Sequence, residues 1–219
     1  MRSSYDLWLA LYKLDLLKES PPFWWPNVGE FEVVVGAILT QQTKWHNVEK
    51  SLQNLKDAQK LSLESLRDTP IMILESLIKP SGYYRKKAKV LQRLCEAIVE
   101  DFGDFETFQT SVSRAWLLAQ KGIGFESADA ILCYACRRDV MVIDNYTNKM
   151  MQALGYTFES YDDLQEWMVR GIEESYDEIN KIYNSECSFF TIYSRFHAKI
   201  VEYAKQYGGD VALLAKYIA

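Results

Sequence analysis

Apolar residues along the chain recur mostly at alternating steps of three and four. Tyr84, Ala88, Leu91, Cys95, Ile98 and Phe102 form one such stripe, and Phe189, Ile192, Phe196, Ile200 and Tyr203 form another. Each predicts an amphipathic helix with one buried face. Between Gly29 and Thr40 the run Glu-Phe-Glu-Val-Val-Val-Gly-Ala-Ile-Leu is apolar on most sides, which predicts a helix buried in the middle of the molecule. The strand-like run Val140-Met141-Val142-Ile143 is too short and isolated to found a sheet. Turn residues cluster at Ser20-Pro21-Pro22, Lys79-Pro80-Ser81-Gly82, Lys121-Gly122-Ile123-Gly124 and Tyr207-Gly208-Gly209. The pattern predicts an all-α chain of about ten helices with short loops.

Composition narrows this. A chain of 219 residues has room for one compact domain or two small helical lobes with a cleft between them. Its 48% hydrophobic and 25% charged residues are globular values and exclude a disordered or collagen-like chain. The net charge of −5 argues weakly against coating nucleic acid in bulk but leaves room for a local basic face. No apolar run approaches the ~20 residues needed to span a bilayer. The start, Met1-Arg2-Ser3-Ser4-Tyr5-Asp6, lacks the apolar core of a secretory signal, and four cysteines without that context read as reduced cytosolic thiols. Aromatic content of 14% supplies the flat side chains that a stacking pocket needs.

A helix–turn–helix is predicted around residues 115–138. Ala115–Gln120 reads as a short helix, Lys121-Gly122-Ile123-Gly124 breaks it, and a second helix starts at about Phe125. Two glycines let the backbone turn tightly and bring consecutive N–H groups to the surface, where a following helix adds its own donors. Such a loop can hold a phosphate oxygen, although Gly-x-Gly between helices is as often only a tight connection.

Eighteen residues beyond Glu126 lies Val142-Ile143-Asp144-Asn145-Tyr146-Thr147. The pairing resembles the endonuclease III superfamily of helix-hairpin-helix DNA glycosylases, with a hairpin followed by a catalytic Asp. Ile38-Leu39-Thr40-Gln41-Gln42-Thr43 and Gly82-Tyr83-Tyr84-Arg85-Lys86-Lys87-Ala88 resemble two further motifs of that superfamily, in its order, over about residues 29–150. The resemblance implies a helical-barrel lobe over residues 27–132 and a second lobe of residues 1–26 plus 133–219 that carries the aspartate. It also implies that Asp144 is catalytic, a role compatible with capping a helix. A carboxylate there can stabilise an oxocarbenium-like sugar and orient or deprotonate water. The resemblance further makes Gln41 the plug that fills the stack, Tyr83 the opposing wedge, and Lys121, Gly122, Ile123 and Gly124 the phosphate-holding hairpin. Arg85, Lys86 and Lys87, with Lys89, form the densest basic run and suit phosphate contacts; without the hairpin they would read as a solvated helix face.

Departures from the pattern are informative. Glu126 stands where lyase members carry a nucleophilic lysine, and a carboxylate cannot form a Schiff base, so a monofunctional glycosylase is implied. Only Cys187 lies where many members hold four cluster cysteines, so no iron–sulfur cluster, and no other cofactor or metal, is expected. The chain looks most like the cluster-free 3-methyladenine DNA glycosylases. Trp24, Trp25, Pro26, Trp45 and Glu126 form a candidate base pocket, with core packing as the plainer reading of the tryptophans. Lys199, at the edge of the last stripe, joins them if it is buried, when it could be neutral or take up carbon dioxide as a carbamate; otherwise it snorkels. Cys133 and Cys136 read as helix packing. His46 and His197 show no ligand pattern, and the pocket has no well-placed histidine.

The function so implied is excision of N3-methyladenine from duplex DNA by base flipping and hydrolysis, by a cytoplasmic, nucleoid-associated monomer that needs no membrane. The alternatives are a glycosylase for oxidised or mismatched bases, or a hairpin module that binds DNA without chemistry.

Overall fold

The computed structural model describes residues 1–218. The chain is all-α. Among the described residues no strand forms, and fourteen α-helices are joined by short loops. The surplus over about ten comes from short pieces such as Leu63–Asp68 and Ile71–Leu77, which show too few turns for a periodic stripe. Among the described residues no helix is long and apolar enough to cross a membrane.

Two compact units are present, Asn27–Arg137 (the hairpin unit) and Met1–Pro26 together with the chain from Arg138 onward (the terminal unit). Helix α1 (Ser4–Tyr12) belongs to the terminal unit. The hairpin unit holds α2 (Phe31–Leu39), α3 (Trp45–Asp57), α4 (Leu63–Asp68), α5 (Ile71–Leu77), α6 (Tyr84–Phe102), α7 (Phe105–Ser111), α8 (Arg114–Ala119) and α9 (Phe125–Ala130). The terminal unit resumes with α10 (Asn145–Ala153), α11 (Tyr161–Glu173), α12 (Tyr176–Tyr183), α13 (Phe189–Tyr207) and α14 (Ala212–Ala215).

In the hairpin unit α2 is buried except for Glu32, as its nearly unbroken apolar run requires. Helix α6 buries Ala88, Leu91, Cys95 and Ile98 and ends at Gly103, whose φ of +81° suits glycine. Asp104 then caps α7 through Thr107 N–H at 2.7 Å. A turn of π-helix at Ile131–Ala135 follows α9 and stays with this unit. Gln109 Nε2 donates to the carbonyls of Gly29 and Ala135, each at 2.6 Å, and Gly29 N–H donates to Tyr134 O at 2.9 Å. Those bonds carry the unit past Leu132 to Arg137.

The core of the terminal unit is rich in aromatic rings. Trp8 is fully buried, stacks on Tyr5 and Tyr12, and meets Tyr183 edge-on. Helices α1 and α11 approach closely at Gly171, where a Cβ would lie 2.3 Å from Ser4 Oγ. Ser4 Oγ donates to Met168 O at 2.7 Å and seals the crossing.

Candidate active site

In the terminal unit the extended segment Val140–Ile143 delivers Asp144 to the start of α10. Gln165 Nε2 donates to Met141 O at 2.6 Å, and Ile143 N–H donates to Tyr161 Oη at 3.2 Å, so the approach is pinned to α11. Asp144 caps α10 with Oδ1, which accepts from Thr147 N–H at 2.7 Å and Thr147 Oγ1 at 2.9 Å. Its other oxygen, Oδ2, faces His197 Nε2 at 3.5 Å. Burial pushes this carboxyl up, but His197 and the two Thr147 donors more than offset that, and the group titrates below the ordinary Asp range. The result is a buried carboxylate that stays ionised.

Trp24 completes the cluster. Its ring meets His197 edge-on at 5.5 Å, and its indole N–H donates to Glu202 Oε1 at 2.8 Å. Lys205 donates to the same oxygen at 2.9 Å and sets its ammonium 5.4 Å from the Trp24 ring centre. Trp24 has a φ of +67°, an uncommon conformation for a bulky residue. Trp25 is buried and edge-on to Trp24 at 6.1 Å, and Pro26 is exposed. A negative oxygen held beside an imidazole can stabilise a developing cation and accept a proton from water.

His197 corrects the expectation that no histidine is well placed. It lies 53 positions from Asp144 and carries no local motif, so the pairing arises only from the packing of α13 on α10. Its one sequence signal is its position beside Phe196 on the last apolar stripe. Lys199, two residues on, falls near the opposite side of α13, because two steps turn about 200°. It is buried, with its ammonium 4.5 Å from the Tyr12 ring centre and 5.7 Å from that of Trp8. It titrates at about 7, lowered by burial first and by the Arg195 cation second, with Asp15 opposing. Snorkelling does not occur.

In the hairpin unit, α8 and α9 are clamped by Arg114, which donates to both oxygens of the fully buried Asp129 at 2.7 and 3.1 Å. Between them Gly122 has a φ of +99°, and a Cβ there would lie 2.5 Å from Val90 Cγ2. Ile123 anchors the tip inward while Lys121, Gly122, Gly124 and Glu126 are exposed. Gln41 Nε2 donates to Gly122 O and Ser127 Oγ, both at 3.0 Å, so this side chain braces the hairpin. Gln42 beside it is exposed and left-handed, with a φ of +52°. Tyr83 is 68% exposed at the start of α6, with a φ of +45°. Trp45 opens α3 and is half-buried.

The basic run divides. Arg85 and Lys86 are exposed, but Lys87 is buried and donates to Leu39 O, Thr43 Oγ1 and Ser81 O at 2.7–2.8 Å. Lys87 is therefore not a phosphate contact: its ammonium is spent on the interior, because position 87 falls on the same face of α6 as Leu91 and Leu94.

Cys95 and Cys133 are buried, and burial pushes the Cys95 thiol up to about 12. Among the described residues no group of three or more His, Cys, Asp or Glu side chains is arranged to hold a metal ion.

An all-α chain with a glycine hairpin between α8 and α9, and a buried aspartate capping the helix that follows, defines a helix-hairpin-helix protein of DNA base repair. The chain belongs to the HhH-GPD superfamily of base excision DNA repair proteins, whose family profile matches residues 35–173. It is similar to the H. pylori 3-methyladenine DNA glycosylase MagIII, solved bound to 1,N6-ethenoadenine, at 44% identity and a TM-score of 0.91 over 94% of this chain and 98% of that one. A Methanocaldococcus jannaschii protein assigned to DNA repair glycosylases is 36% identical over 96% of this chain and 93% of its own length. A trapped endonuclease III–DNA covalent intermediate shares the fold, with a TM-score of 0.69 at 16% identity over 94% of this chain and 88% of that one. The protein is thus a DNA glycosylase of the superfamily.

Proposed function

We propose that this glycosylase is monofunctional and releases N3-methyladenine from duplex DNA by hydrolysis. The observation that carries the reading is the buried Asp144 carboxylate, held ionised between Thr147 and His197, with Trp24 edge-on to that histidine. N3-methylation leaves the base cationic, so the bond from the sugar C1′ to N9 breaks with its electron pair going to a base that departs neutral. No strong acid is needed. The sugar is left with oxocarbenium character, which the Asp144 carboxylate stabilises. Water attacks C1′, its proton passes to Asp144, and an abasic site remains. Glu126 in place of a lysine supports the absence of strand cleavage, since no amine stands there to form a Schiff base.

The other roles are part of the same proposal. The exposed Lys121, Gly122 and Gly124 contact phosphate, with Ile123 anchoring the hairpin from inside, and Arg85 and Lys86 add charge. Tyr83 acts as wedge. The plug passes from Gln41, whose amide braces the hairpin, to its exposed neighbour Gln42. Trp24 is engaged by His197, Glu202 and Lys205, so stacking on the base falls to Trp25, with Trp45 a second candidate.

The test is chromatography of bases released from methylated duplex DNA, with strand breaks scored before and after alkali. Released 3-methyladenine with breaks only after alkali is the expected result. Release of oxidised or mismatched bases instead would move the protein to another branch of the superfamily, and binding without any release would leave a non-catalytic module.

A further inference from the structure

Lys87 is 3% exposed, yet no carboxylate is among its hydrogen-bond acceptors. An ammonium has three hydrogens, and here each has one neutral oxygen: the carbonyl of Leu39 at the end of α2, the hydroxyl of Thr43, and the carbonyl of Ser81 in the turn Lys79–Ser81. Thr43 Oγ1 also lies within hydrogen-bond distance of Ser81 O, and Ser81 Oγ donates to Ile78 O at 2.7 Å. Burying a charge without an opposite charge is unfavourable, and burial lowers Lys87 to about 8. An apolar side chain on this face of α6 would avoid that penalty. What the ammonium adds is a cross-link between two segments that are 38 positions apart.

Both segments end in exposed tips. Gln42 lies between Leu39 and Thr43 and has a left-handed backbone; Tyr83 lies two residues past Ser81 and is left-handed as well. Neither tip is held by helix hydrogen bonding alone, so the Lys87 network fixes where each begins. We infer that Lys87 is a positioning residue that locks residues 40–43 and 81–83 into one rigid edge, so that Gln42 and Tyr83 enter the duplex together. The inference rests on the proposal that the protein opens DNA to extrude a base.

The test compares wild type, Lys87→Met and the milder Thr43→Val, each checked for folding by thermal melts. Two duplexes carry the same methylated base, opposite thymine in one and opposite an abasic-site analogue in the other, where no partner base has to be parted or replaced. On the paired duplex Lys87→Met should lower single-turnover kcat/KM about tenfold or more, and on the pre-opened duplex it should stay within about threefold of wild type. Thr43→Val should shift the same ratio in the same direction by less. Equal losses on both duplexes would reduce Lys87 to a structural residue, and no loss on either would also overturn the inference. A second readout does not need chemistry: 2-aminopurine beside the lesion brightens when the duplex opens on binding. Wild type that brightens it without releasing a base would sink the substrate proposal, leaving the Lys87→Met comparison to be read from fluorescence. Wild type that opens neither duplex would overturn the inference.

Discussion

Two lysines, one in each unit, are buried to nearly the same degree and solvated in opposite ways. Lys87 in the hairpin unit is 3% exposed and surrounded by oxygen acceptors; Lys199 in the terminal unit is 4% exposed and lies against aromatic rings. Burial lowers the first to about 8 and the second to about 7. The contrast extends to the regions around them. The hairpin unit uses burial to fix backbone, presenting exposed tips at Gly122, Gln42 and Tyr83. The terminal unit uses burial to tune charge, keeping a carboxylate ionised at Asp144 and pulling the Lys199 ammonium toward neutrality. On the proposed function, gripping DNA and breaking a bond draw on different physical means.

The sharpest way to break the hairpin side of this comparison is Asp129→Ala, which removes the fully buried carboxylate that accepts two hydrogen bonds from Arg114. Denaturant unfolding should show a loss of about 3 kcal/mol. On the terminal side, Lys199→Met should flatten the dependence of stability on pH. Between about 7 and the ordinary lysine value of 10.5 the unfolded chain holds a proton that the folded chain has released. Wild-type stability therefore rises with pH across that window, by at most about 1.4 kcal/mol per pH unit from this group, and the variant should lose that share in melts from pH 7 to 10, keeping only the rise that Lys87 contributes above about 8.

His197→Asn removes one of the groups that hold Asp144 low. Its carboxyl should then titrate higher, and the acid limb of the single-turnover rate should move to higher pH; an unmoved limb would free His197 from that role. The smallest effect belongs to Gly122→Ala. Both its positive φ and the contact with Val90 oppose a Cβ, so DNA affinity should fall by about three- to tenfold in a binding titration, with release at saturation little changed.

Much of this was legible in the chain. The stripes from Tyr84 and Phe189 became α6 and α13, the Gly-x-Gly break became the hairpin, and Asp144 caps α10 as its place after an apolar run suggests. What escaped depends on neighbours distant in sequence. Nothing near His197 marks it as facing Asp144. Lys87 was readable in principle, since it sits four before Leu91 and seven before Leu94, but the charges around it masked that spacing. Gln41 and Gln42 are chemically identical, and only a backbone that turns left-handed at the second separates brace from tip.

The central claim is that the reaction belongs to Asp144 and the grip does not. It is tested most directly by single-turnover base release and DNA affinity measured together for Asp144→Asn. The account predicts release reduced by about a thousandfold with affinity near that of wild type. Release that survives the substitution would contradict it.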